Sequence, residues 1–439
     1  MMCDLSNVEG TPRMGTRSTA TVVLVDDASE SVLCDERGDG ARLPEVRFES
    51  AWPPLDGRLA DALAAQLGVR GLVREPLDFV TVVMAARPGQ DAPVGYRWCP
   101  PADVYGQKSV VDRFLDEDSR WRPQWYRAGW VERADAYIDQ VLAATGRRRS
   151  GDSRQVKHWS LSAVLRAPAD NGDVFLKSVL PAYAHEPAVT SWLARQGCGP
   201  FATITATDTT SAWWLADDFG GTDGQTAPPA DQARIMTQLC RIQVAMLDRT
   251  ETLVGLGCRL LDNSDLAAAI PDLLVRDDLW AAPKDLRNLY RALDAHEATR
   301  LRALGPYLRR CCAELDATGI PQTLLHGDFH PGNAVLREDG VLLHDWSFAM
   351  ISNPLFDLAS CFYDATPAQA AAAFDAYLAG WSGVLDPATM RRAWRYAGPL
   401  SAFMELVKFV GLVDLVGEAY AFNYLPVVYG WARRLMGAV

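Results

Sequence analysis

The stretch His326–Trp346 reads HGDFHPGNAVLREDGVLLHDW and places two carboxylates and one amide at fixed spacing. Asp328 and Asn333 form a D-x-x-x-x-N pattern in which a Pro-Gly pair bends the chain. Two apolar runs follow, separated by Glu-Asp-Gly, and Asp-Gly between apolar runs predicts a β-hairpin. Because a hairpin returns the chain towards its start, we expect Asp345, at the end of the second strand, to lie beside Asn333 and Asp328.

These three polar side chains suit phosphoryl transfer. Mg²⁺ prefers hard oxygen ligands and takes only one or two carboxylates from protein when it also binds phosphates. Asn333 and Asp345 are the candidate metal ligands. A further carboxylate can orient a hydroxyl and take its proton, and Asp328 is the candidate for that catalytic role. His326 and His330 are expected to brace this loop rather than to react.

The pattern H-G-D-x-H-x-x-N at residues 326–333, followed by His-Asp-Trp at 344–346, resembles the aminoglycoside phosphotransferase and choline kinase family. Residues 353–354 (Asn-Pro) and 357–359 (Asp-Leu-Ala) are similar to that family's next segment. The resemblance implies an α+β fold that is bilobal and protein-kinase-like. It also implies Mg²⁺ and ATP as cofactors, with GTP left open as the donor. An ordinary hairpin in an unrelated α/β domain is the alternative.

Composition narrows the class of protein. The 439 residues are enough for two to three domains. A net charge of −12 argues against a nucleic-acid-binding surface and would suit a cationic substrate. No signal peptide and no run of about 18 apolar residues is found, so no membrane partner is expected. Nine cysteines without a C-x-x-C pair predict reduced thiols and a cytoplasmic location.

The first part of the chain predicts a small α/β domain at residues 19–110, preceded by a disordered segment, 1–18. Strands are predicted at Thr19–Val25, Ser31–Cys34 and Phe79–Met84, with a helix at Arg58–Leu67. This order resembles a Nudix domain, and an unrelated α/β domain is the alternative.

The metal-binding box of a Nudix enzyme is missing from this helix. When residues 67–69 (Leu-Gly-Val) are used for alignment, Asp61-Ala62 and Ala65-Gln66 occupy the positions of the required Arg-Glu and Glu-Glu pairs. We therefore expect a Nudix-like domain that lacks its metal box and does not catalyse hydrolysis.

Residues 111–150 predict a helical linker. Trp121, Trp125, Trp130 and Tyr137 are expected to dock the first domain on the second, with a ligand platform as the alternative. The segment 147–151 (Arg-Arg-Arg-Ser-Gly) predicts a flexible connection.

Residues 151–217 predict a kinase-like N-lobe. Lys177 lies in the strand Asp173–Leu180, and Glu186 follows nine residues later at a helix start. A kinase-like lobe needs such a lysine to hold phosphates and such a glutamate to hold the lysine. A simple helix-dipole role is the alternative for Glu186.

Two further parts of this lobe are candidates for nucleotide binding. The segment His158–Ser162 takes the place of a glycine-rich loop, with Ser160 as the first candidate phosphate contact and Ser162 as the second. In the resembled family a strand such as Ser211–Asp218 becomes the hinge, so Leu215, Ala216 and Asp217 are the candidates for contacts with adenine.

Residues 218–439 predict a helical C-lobe that carries the catalytic loop. Helices are expected at Asp231–Leu247, Leu286–Leu315 with a break at Gly305-Pro306, Pro367–Leu378, Pro387–Tyr396 and Ser401–Val416. Several acidic and aromatic residues near the C-terminus could form an acceptor-binding wall or a solvated helix face: Glu405, Asp414, Glu418, Tyr420 and Tyr424.

Together these features predict an ATP-dependent O-phosphotransferase that moves the γ-phosphate to a hydroxyl of a small molecule. Aminoglycosides, other antibiotics, sugars, nucleosides and amino alcohols all stay open as acceptors, and a cationic acceptor is one option. The alternative is a nucleotide-binding pseudokinase or regulatory module without transfer activity. Its signature would be a lost Lys177, Asp328 or Asn333, and none is lost. The oligomeric state is left open.

Overall fold

The computed structural model describes residues 16–37, 41–50, 57–78, 80–104, 121–280, 292–361 and 366–438. An N-terminal sheet with one helix is followed by a five-stranded lobe and a helical lobe. The central motif, residues 326–346, falls within these ranges. Residue 79 of a predicted strand, residues 111–120 of the predicted linker and residues 286–291 of a predicted helix lie outside them.

The N-terminal unit is a six-stranded sheet with the helix α1 (Gly57–Leu67) packed on it. Its strands are β1 (Thr16–Asp26), β2 (Ser31–Asp35), β3 (Glu45–Ser50), β4 (Gly71–Pro76), β5 (Thr81–Ala86) and β6 (Tyr96–Cys99). The order is β4-β5-β1-β2-β6, with β3 also paired to β1, and only the β1–β5 pair is parallel. Leu59 and Leu63 of α1 are fully buried against this sheet, as their helical spacing predicts.

Two details of this unit differ from the predictions. Strand β1 begins at Thr16, so the disorder expected up to residue 18 is wrong for its last three residues. Cys34 and Cys99 form a disulfide between paired strands, with an S–S distance of 2.08 Å. The expectation of free thiols throughout is therefore wrong for this pair. Six further cysteines are free, and Cys3 lies outside the described residues.

The described part of the predicted helical linker, from residue 121 onward, is packed into the core of the second half. A short turn (Gln124–Tyr126) leads into α2 (Trp130–Ala144). Trp125, Trp130 and Ile138 are buried in the same apolar cluster as the following lobe, because their large side chains gain most from leaving water. The prediction of a flexible connection at residues 147–151 is wrong, since Arg149 forms ion pairs with Asp135 and Asp139.

The N-lobe is an antiparallel sheet with one helix, as predicted. It consists of β7 (Arg154–His158), β8 (Ser162–Ala167), β9 (Val174–Val179), α3 (Glu186–Leu193), β10 (Ile204–Asp208) and β11 (Trp213–Asp217). The strand order is β10-β11-β9-β8-β7. Lys177 pairs with Trp214 on one side and Val164 on the other, so it lies in the central strand.

The C-lobe is mainly helical. Its helices are α4 (Pro229–Ala245), α5 (Thr250–Gly255), α6 (Asn263–Leu274), α7 (Asp277–Trp280), α8 (Ala295–Ala303), α9 (Gly305–Asp316), α10 (Leu358–Cys361), α11 (Pro367–Trp381), α12 (Pro387–Val416), α13 (Glu418–Ala421) and α14 (Leu425–Gly437). Its short strands are β12 (Thr222–Asp223), β13 (Arg259–Leu260), β14 (Thr323–Leu325), β15 (Ala334–Arg337), β16 (Gly340–Leu343) and β17 (Met350–Ser352). They form two three-stranded sheets, β12-β15-β16 and β13-β17-β14.

One predicted boundary in this lobe is wrong. The two helices expected before and after Pro399 are a single helix, α12. A proline inside a helix removes one backbone hydrogen bond and usually kinks or breaks it. Here the residues on both sides, including Ala397, Leu400 and Phe403, are buried in one core, so tertiary packing holds the helix together. Among the described residues, no helix has the length and apolar character that crossing a membrane requires.

Candidate active site

The predicted hairpin is present and brings its polar residues together. Strands β15 and β16 pair in a register that places Asn333 opposite His344. The N–H of His344 donates to the carbonyl of Asn333 at 3.0 Å. The side-chain amide of Asn333 in turn donates to the carbonyl of Asp328 at 2.8 Å. Asn333 therefore lies between the loop that carries Asp328 and the strand end that leads to Asp345.

A buried carboxylate, to which the sequence prediction gave no role, fixes the start of this loop. Asp357 accepts hydrogen bonds at 2.9 Å from the N–H groups of His326 and Gly327 and from the side chain of Gln243. Burial raises the pKa of Asp357 to about 6, although these bonds favour its ionised form. Gly327 has a φ of +77°, and a Cβ there would lie 2.1 Å from the carbonyl oxygen of Phe348, so this turn requires glycine.

The two histidines of the motif contact the loop and its neighbours. His326 Nε2 donates to the carbonyl of His344 at 2.8 Å, and its ring packs on Trp346 with centroids 4.6 Å apart. Burial lowers the pKa of His326 to about 4, so its ring is neutral at pH 7. His330 Nδ1 accepts from the N–H of Gly332 at 3.1 Å. These contacts suit the bracing role expected for both rings.

Asp345 ends its strand in the left-handed backbone region, with φ 66° and ψ 55°. Such a conformation is uncommon for a residue other than glycine, and it often marks functional sites. Oδ1 of Asp345 accepts from Lys177 at 2.6 Å, and Oδ2 lies 3.4 Å from Lys157 Nζ. Burial opposes the charge, but nearby positive charges, with Lys177 the largest of them, outweigh it and hold the pKa of Asp345 well below its ordinary value.

Lys177 joins the two lobes through its ion pairs. Its Nζ lies 2.7 Å from Glu186 Oε2 in the N-lobe and 2.6 Å from Asp345 Oδ1 in the C-lobe. The hydroxyl of Ser347 lies 3.0 Å from the same nitrogen. Burial opposes the charge of the lysine, yet Asp345 and Glu186 raise its pKa above the ordinary value. The strand lysine and the helix glutamate thus meet in the predicted pair.

Asp328 lies beside a lysine that the sequence prediction did not consider. Lys408 of α12 donates to the carbonyl of Gly327 at 2.9 Å, and its Nζ lies 3.4 Å from Asp328 Oδ1 and 2.7 Å from Glu405 Oε2. Burial opposes ionisation of Asp328, but Lys408 and His330 outweigh it and lower its pKa. Burial raises the pKa of Glu405 to about 7 despite its lysine partner.

The segment between β7 and β8, residues 158–162, is held by contacts on both sides. The Ser160 hydroxyl is buried and lies 2.5 Å from the phenol oxygen of Tyr424. Ser162 accepts from the indole N–H of Trp159 at 2.9 Å. The carbonyl of Trp159 accepts from Trp125 Nε1 at 2.6 Å. Of the two serines, Ser162 lines the cleft between the lobes, whereas Ser160 contacts the C-terminal segment.

The candidate hinge residues lie at the end of β11. Leu215 and Ala216 are buried and pair with both β10 and β9. Asp217 pairs with β9 alone, and its carboxylate accepts from Arg147 at 2.6 Å. The chain leaves the sheet after Asp217, so this residue and the ones that follow connect the lobes.

The C-terminal residues expected to form one acidic and aromatic wall lie in different places. Asp414 pairs with Arg276 at 2.8 Å, and Glu418 is exposed. The phenol of Tyr420 donates to Glu75 of the N-terminal unit at 2.6 Å. A shared acceptor-binding wall of all five residues is therefore wrong. Of the five, Glu405 is connected to Asp328 through Lys408, whose ammonium contacts both carboxylates.

A cleft opens between the lobes above Asp328 and Asp345. Besides these two carboxylates it is lined by Lys157, Trp159, Leu161, Ser162, Tyr183, Ser347, Phe348, Phe409 and Leu412. The cleft thus combines two carboxylates and a lysine with a mainly apolar wall. Such a concave site, with few polar groups and perturbed pKa values, is the expected form of an active site.

The same part of the chain matches a known family. Residues 152–393, more than half of the chain, fit the profile of the phosphotransferase enzyme family. The chain belongs to this family. It is therefore a phosphotransferase, and the predicted kinase-like fold of mixed α and β content is confirmed. The family match begins after the N-terminal unit, so the Nudix-like assignment of that unit stays a prediction.

Solved structures that match the chain include a choline/ethanolamine kinase family protein from Mesorhizobium loti, at 16% identity and a TM-score of 0.47, covering 70% of this chain and 98% of that chain. A macrolide 2'-phosphotransferase, MphH from Brachybacterium faecium, matches at 16% identity with a TM-score of 0.46, covering 68% and 98%. The choline kinase LicA from Streptococcus pneumoniae matches at 13% identity with a TM-score of 0.43, covering 69% and 99%. No curated protein matches this chain.

Proposed function

We propose that the enzyme transfers the γ-phosphate of ATP, with GTP as the alternative donor, to a hydroxyl of a small molecule in the cytoplasm. The observation that carries this proposal is that Lys177 contacts both Glu186 and Asp345 within 2.8 Å. Asp345 and Asp328 line the same cleft. In kinases, the strand lysine, its glutamate and the metal-binding aspartate must be in place together for phosphoryl transfer.

The nucleotide is proposed to lie between the N-lobe sheet and the hairpin. Lys177 would release Asp345 and hold the α- and β-phosphates while it keeps its pair with Glu186. Lys157, 3.4 Å from Asp345, is a second cation available to the phosphates. Ser162 is the better placed of the two candidate serines, because it lines the cleft. The backbone at Leu215, Ala216 and Asp217 would contact adenine at the exit from β11.

Asn333 and Asp345 fit a magnesium site by their chemistry. Both offer oxygen ligands, which Mg²⁺ prefers, and the hairpin register makes their strand ends neighbours. Asn333 is fully buried, and its amide N–H₂ is turned to the carbonyl of Asp328, which orients the side chain. Asn333 and Asp345 would hold the metal, and when bound it would supply positive charge that offsets the negative charge developing during transfer.

Asp328 is proposed to act on the acceptor. Its carboxylate would accept a hydrogen bond from the hydroxyl and take its proton as the acceptor oxygen attacks the γ-phosphorus. The new O–P bond forms as the bond from the γ-phosphorus to the bridging oxygen breaks, and ADP leaves with that electron pair. The depressed pKa of Asp328 favours the ionised form that this role needs at neutral pH.

The decisive experiment measures ADP release by wild type and Asp328→Asn with a panel of alcohol acceptors. We expect turnover to fall by about 10²–10⁴ while nucleotide affinity changes little, because the base is lost and the phosphate contacts remain. Asp339→Asn is the matched control, since Asp339 is an exposed carboxylate in the turn of the same hairpin. Turnover of Asp328→Asn within about tenfold of wild type would contradict the assignment. Nucleotide binding by wild type without any acceptor-dependent ADP release would favour the pseudokinase instead.

A further inference from the structure

The lysines of this chain are few, and they are concentrated at one place. Only five lysines occur among the 43 basic residues. Lys157, Lys177 and Lys408 all lie at the candidate active site, and Lys108 and Lys284 lie outside the described residues. Lys157 and Lys177 face Asp345 on the nucleotide side. Lys408 faces Asp328, where the acceptor would bind. It lies away from the lysines that are proposed to bind phosphate, so phosphate binding does not explain its position.

Lys408 is held firmly in this position. Its ammonium contacts the Gly327 carbonyl at 2.9 Å and Glu405 at 2.7 Å, and only 8% of its side chain is exposed. The same nitrogen lies 5.0 Å from the ring centre of Phe348 and 5.1 Å from that of Phe409. Aromatic faces attract cations, so these rings add to the contacts that keep the charge next to the cleft.

The carboxylates around the cleft already have cationic partners. Asp328 and Glu405 contact Lys408, while Asp345 contacts Lys177 and Lys157. Among the described residues that line the cleft, Asp328 and Asp345 are the only carboxylates. An acceptor with several amines would need further acidic partners, and this part of the chain does not offer them. Like charges placed side by side across an interface disfavour binding.

The remaining cleft wall is apolar. Six of its lining residues are aromatic or aliphatic: Trp159, Leu161, Tyr183, Phe348, Phe409 and Leu412. They come from both lobes and surround the space next to Asp328. Such a wall gains free energy by covering apolar surface of a ligand.

On the basis of the proposed function, we infer that the acceptor is an alcohol without a cationic group, carried on an apolar body, and that Lys408 enforces this selection. The inference replaces the cationic acceptor that the net charge suggested. The charge of the whole chain describes its surface, whereas selection depends on the groups that face the acceptor. Lys408 is thereby a specificity-determining residue of the acceptor side.

The test compares two probes that differ by one amine, 3-phenyl-1-propanol and phenylalaninol. Their dissociation constants are measured with the full-length protein, Mg²⁺ and a non-hydrolysable ATP analogue, and ADP release is measured separately with ATP. We expect wild type to bind the neutral alcohol about tenfold or more tightly than the amine. Lys408→Met should reduce this preference, and Lys408→Glu should remove or reverse it. Arg392→Met, an exposed change on the same helix, should leave the preference as in wild type.

The outcomes separate this inference from the proposed function. Equal or tighter binding of phenylalaninol by wild type overturns the inference, as does failure of 3-phenyl-1-propanol to bind. A preference that survives in Lys408→Glu overturns the role of Lys408. Kanamycin or choline stimulating ADP release more than the neutral alcohol would also contradict the inference, yet support phosphotransfer. A neutral preference without ADP release from any acceptor would support the acceptor class and contradict the transfer reaction.

Discussion

Asn333 and Asp345 occupy neighbouring strand ends but differ in charge, so their loss should affect metal binding unequally. Asn333→Ala would remove the proposed neutral oxygen ligand, whereas Asp345→Ala would remove the proposed charged one, which is also paired to Lys177. We expect both variants to need more Mg²⁺ for half-maximal activity, with the larger increase in Asp345→Ala. A magnesium titration of ADP release measures this, with Asp339→Asn as the control. An unchanged titration in both variants would remove their proposed metal roles.

Asp357 connects pH to the catalytic loop. Its pKa of about 6 is raised above the value of about 3.9 for an unfolded chain, so the folded protein binds the proton more tightly. Protonation of Asp357 therefore stabilises the folded state at low pH. This contribution is lost as pH rises through 6, which lowers the free energy of unfolding by on the order of 3 kcal/mol at pH 7. Activity should instead rise with pH, because the ionised carboxylate accepts the hydrogen bonds from the backbone N–H groups of His326 and Gly327.

We therefore expect the turnover number to fall below about pH 6 without a parallel loss of thermal stability. In Asp357→Asn, turnover should be lower at every pH and this acid limb should disappear. The measurement is a pH profile from 5 to 8 with a melting curve at each point. Glu405 lies near Asp357 and has a pKa of about 7, so it could titrate in the same range. The pH profile of Glu405→Gln, measured in parallel, separates the two groups. An acid limb that persists unchanged in Asp357→Asn would contradict this assignment.

Individual site residues can be predicted from the sequence when they belong to one contiguous motif. Asp328, Asn333 and Asp345 could be placed together because a hairpin relates them by local geometry. Lys408 could not, because it is 80 residues from Asp328 and only the packing of α12 brings it there. The scarcity of lysine in the chain was a signal that could have pointed to it.

Among the elements, the segment between β7 and β8 is joined to the C-terminal part of the chain by a buried hydrogen bond. Tyr424 contacts Ser160 at 2.5 Å, and both side chains are buried. Tyr424→Phe would leave the Ser160 hydroxyl without this partner, which typically costs about 1–3 kcal/mol. Because this segment covers the proposed phosphate site, we expect the KM for nucleotide to rise several-fold.

Steady-state kinetics and melting curves test this expectation. Tyr429→Phe is the matched control, since it removes a buried phenol that donates to Leu279 in the helical lobe. If Tyr424→Phe lowers the melting temperature as Tyr429→Phe does but leaves the KM for nucleotide unchanged, Tyr424 has only a structural role.

The elements also show where local rules fail. Helix α3 begins at Glu186 and the break between α8 and α9 falls just before Gly305, as predicted, because charged first turns and Gly-Pro pairs act locally. The proline in α12 gave an equally local signal and was misleading. Whether a helix continues through a proline depends on how much surface the residues on both sides bury, and that depends on distant parts of the chain.

Across the whole molecule, the N-terminal unit is tied to both lobes. Gln155 of β7 pairs with the backbone N–H and carbonyl of Val73, at 2.8 and 2.6 Å. Glu75 is fully buried, accepts from Tyr420 of the C-lobe and pairs with Arg122 at 3.0 Å. The aromatic cluster was expected to dock the two halves, and Trp125 and Trp130 do pack on the N-lobe. Their partners could not be read from the sequence, since burial of a tryptophan does not identify the surface that covers it.

These contacts lead to a prediction about the first domain, which we propose is structural and lacks hydrolytic activity. Truncation at Gly151 would remove Trp125 and Trp130 from the kinase core, at roughly 1.5–3 kcal/mol for each large side chain. Truncation at Trp121 would keep both but would leave Tyr420 without Glu75. We expect melting temperatures to fall from the full chain to the chain starting at 121, and further to the chain starting at 151. In the full chain, Glu75→Gln should destabilise by a few kcal/mol, because Arg122 would lose a buried charged partner.

The isolated segment 1–150 tests the second part of this prediction, that the first domain lacks hydrolytic activity. In the proposed Nudix-like alignment, Ala62 and Ala65 take the positions of glutamates, and alanine cannot hold the Mg²⁺ that would activate water. We therefore expect this segment to leave nucleoside diphosphate compounds uncleaved, measured as release of phosphate or monophosphate with and without metal. Metal-dependent hydrolysis by residues 1–150 would contradict the structural role. A chain starting at Gly151 that melts like the intact protein would contradict it too, because buried contacts across the interface would then contribute nothing to stability.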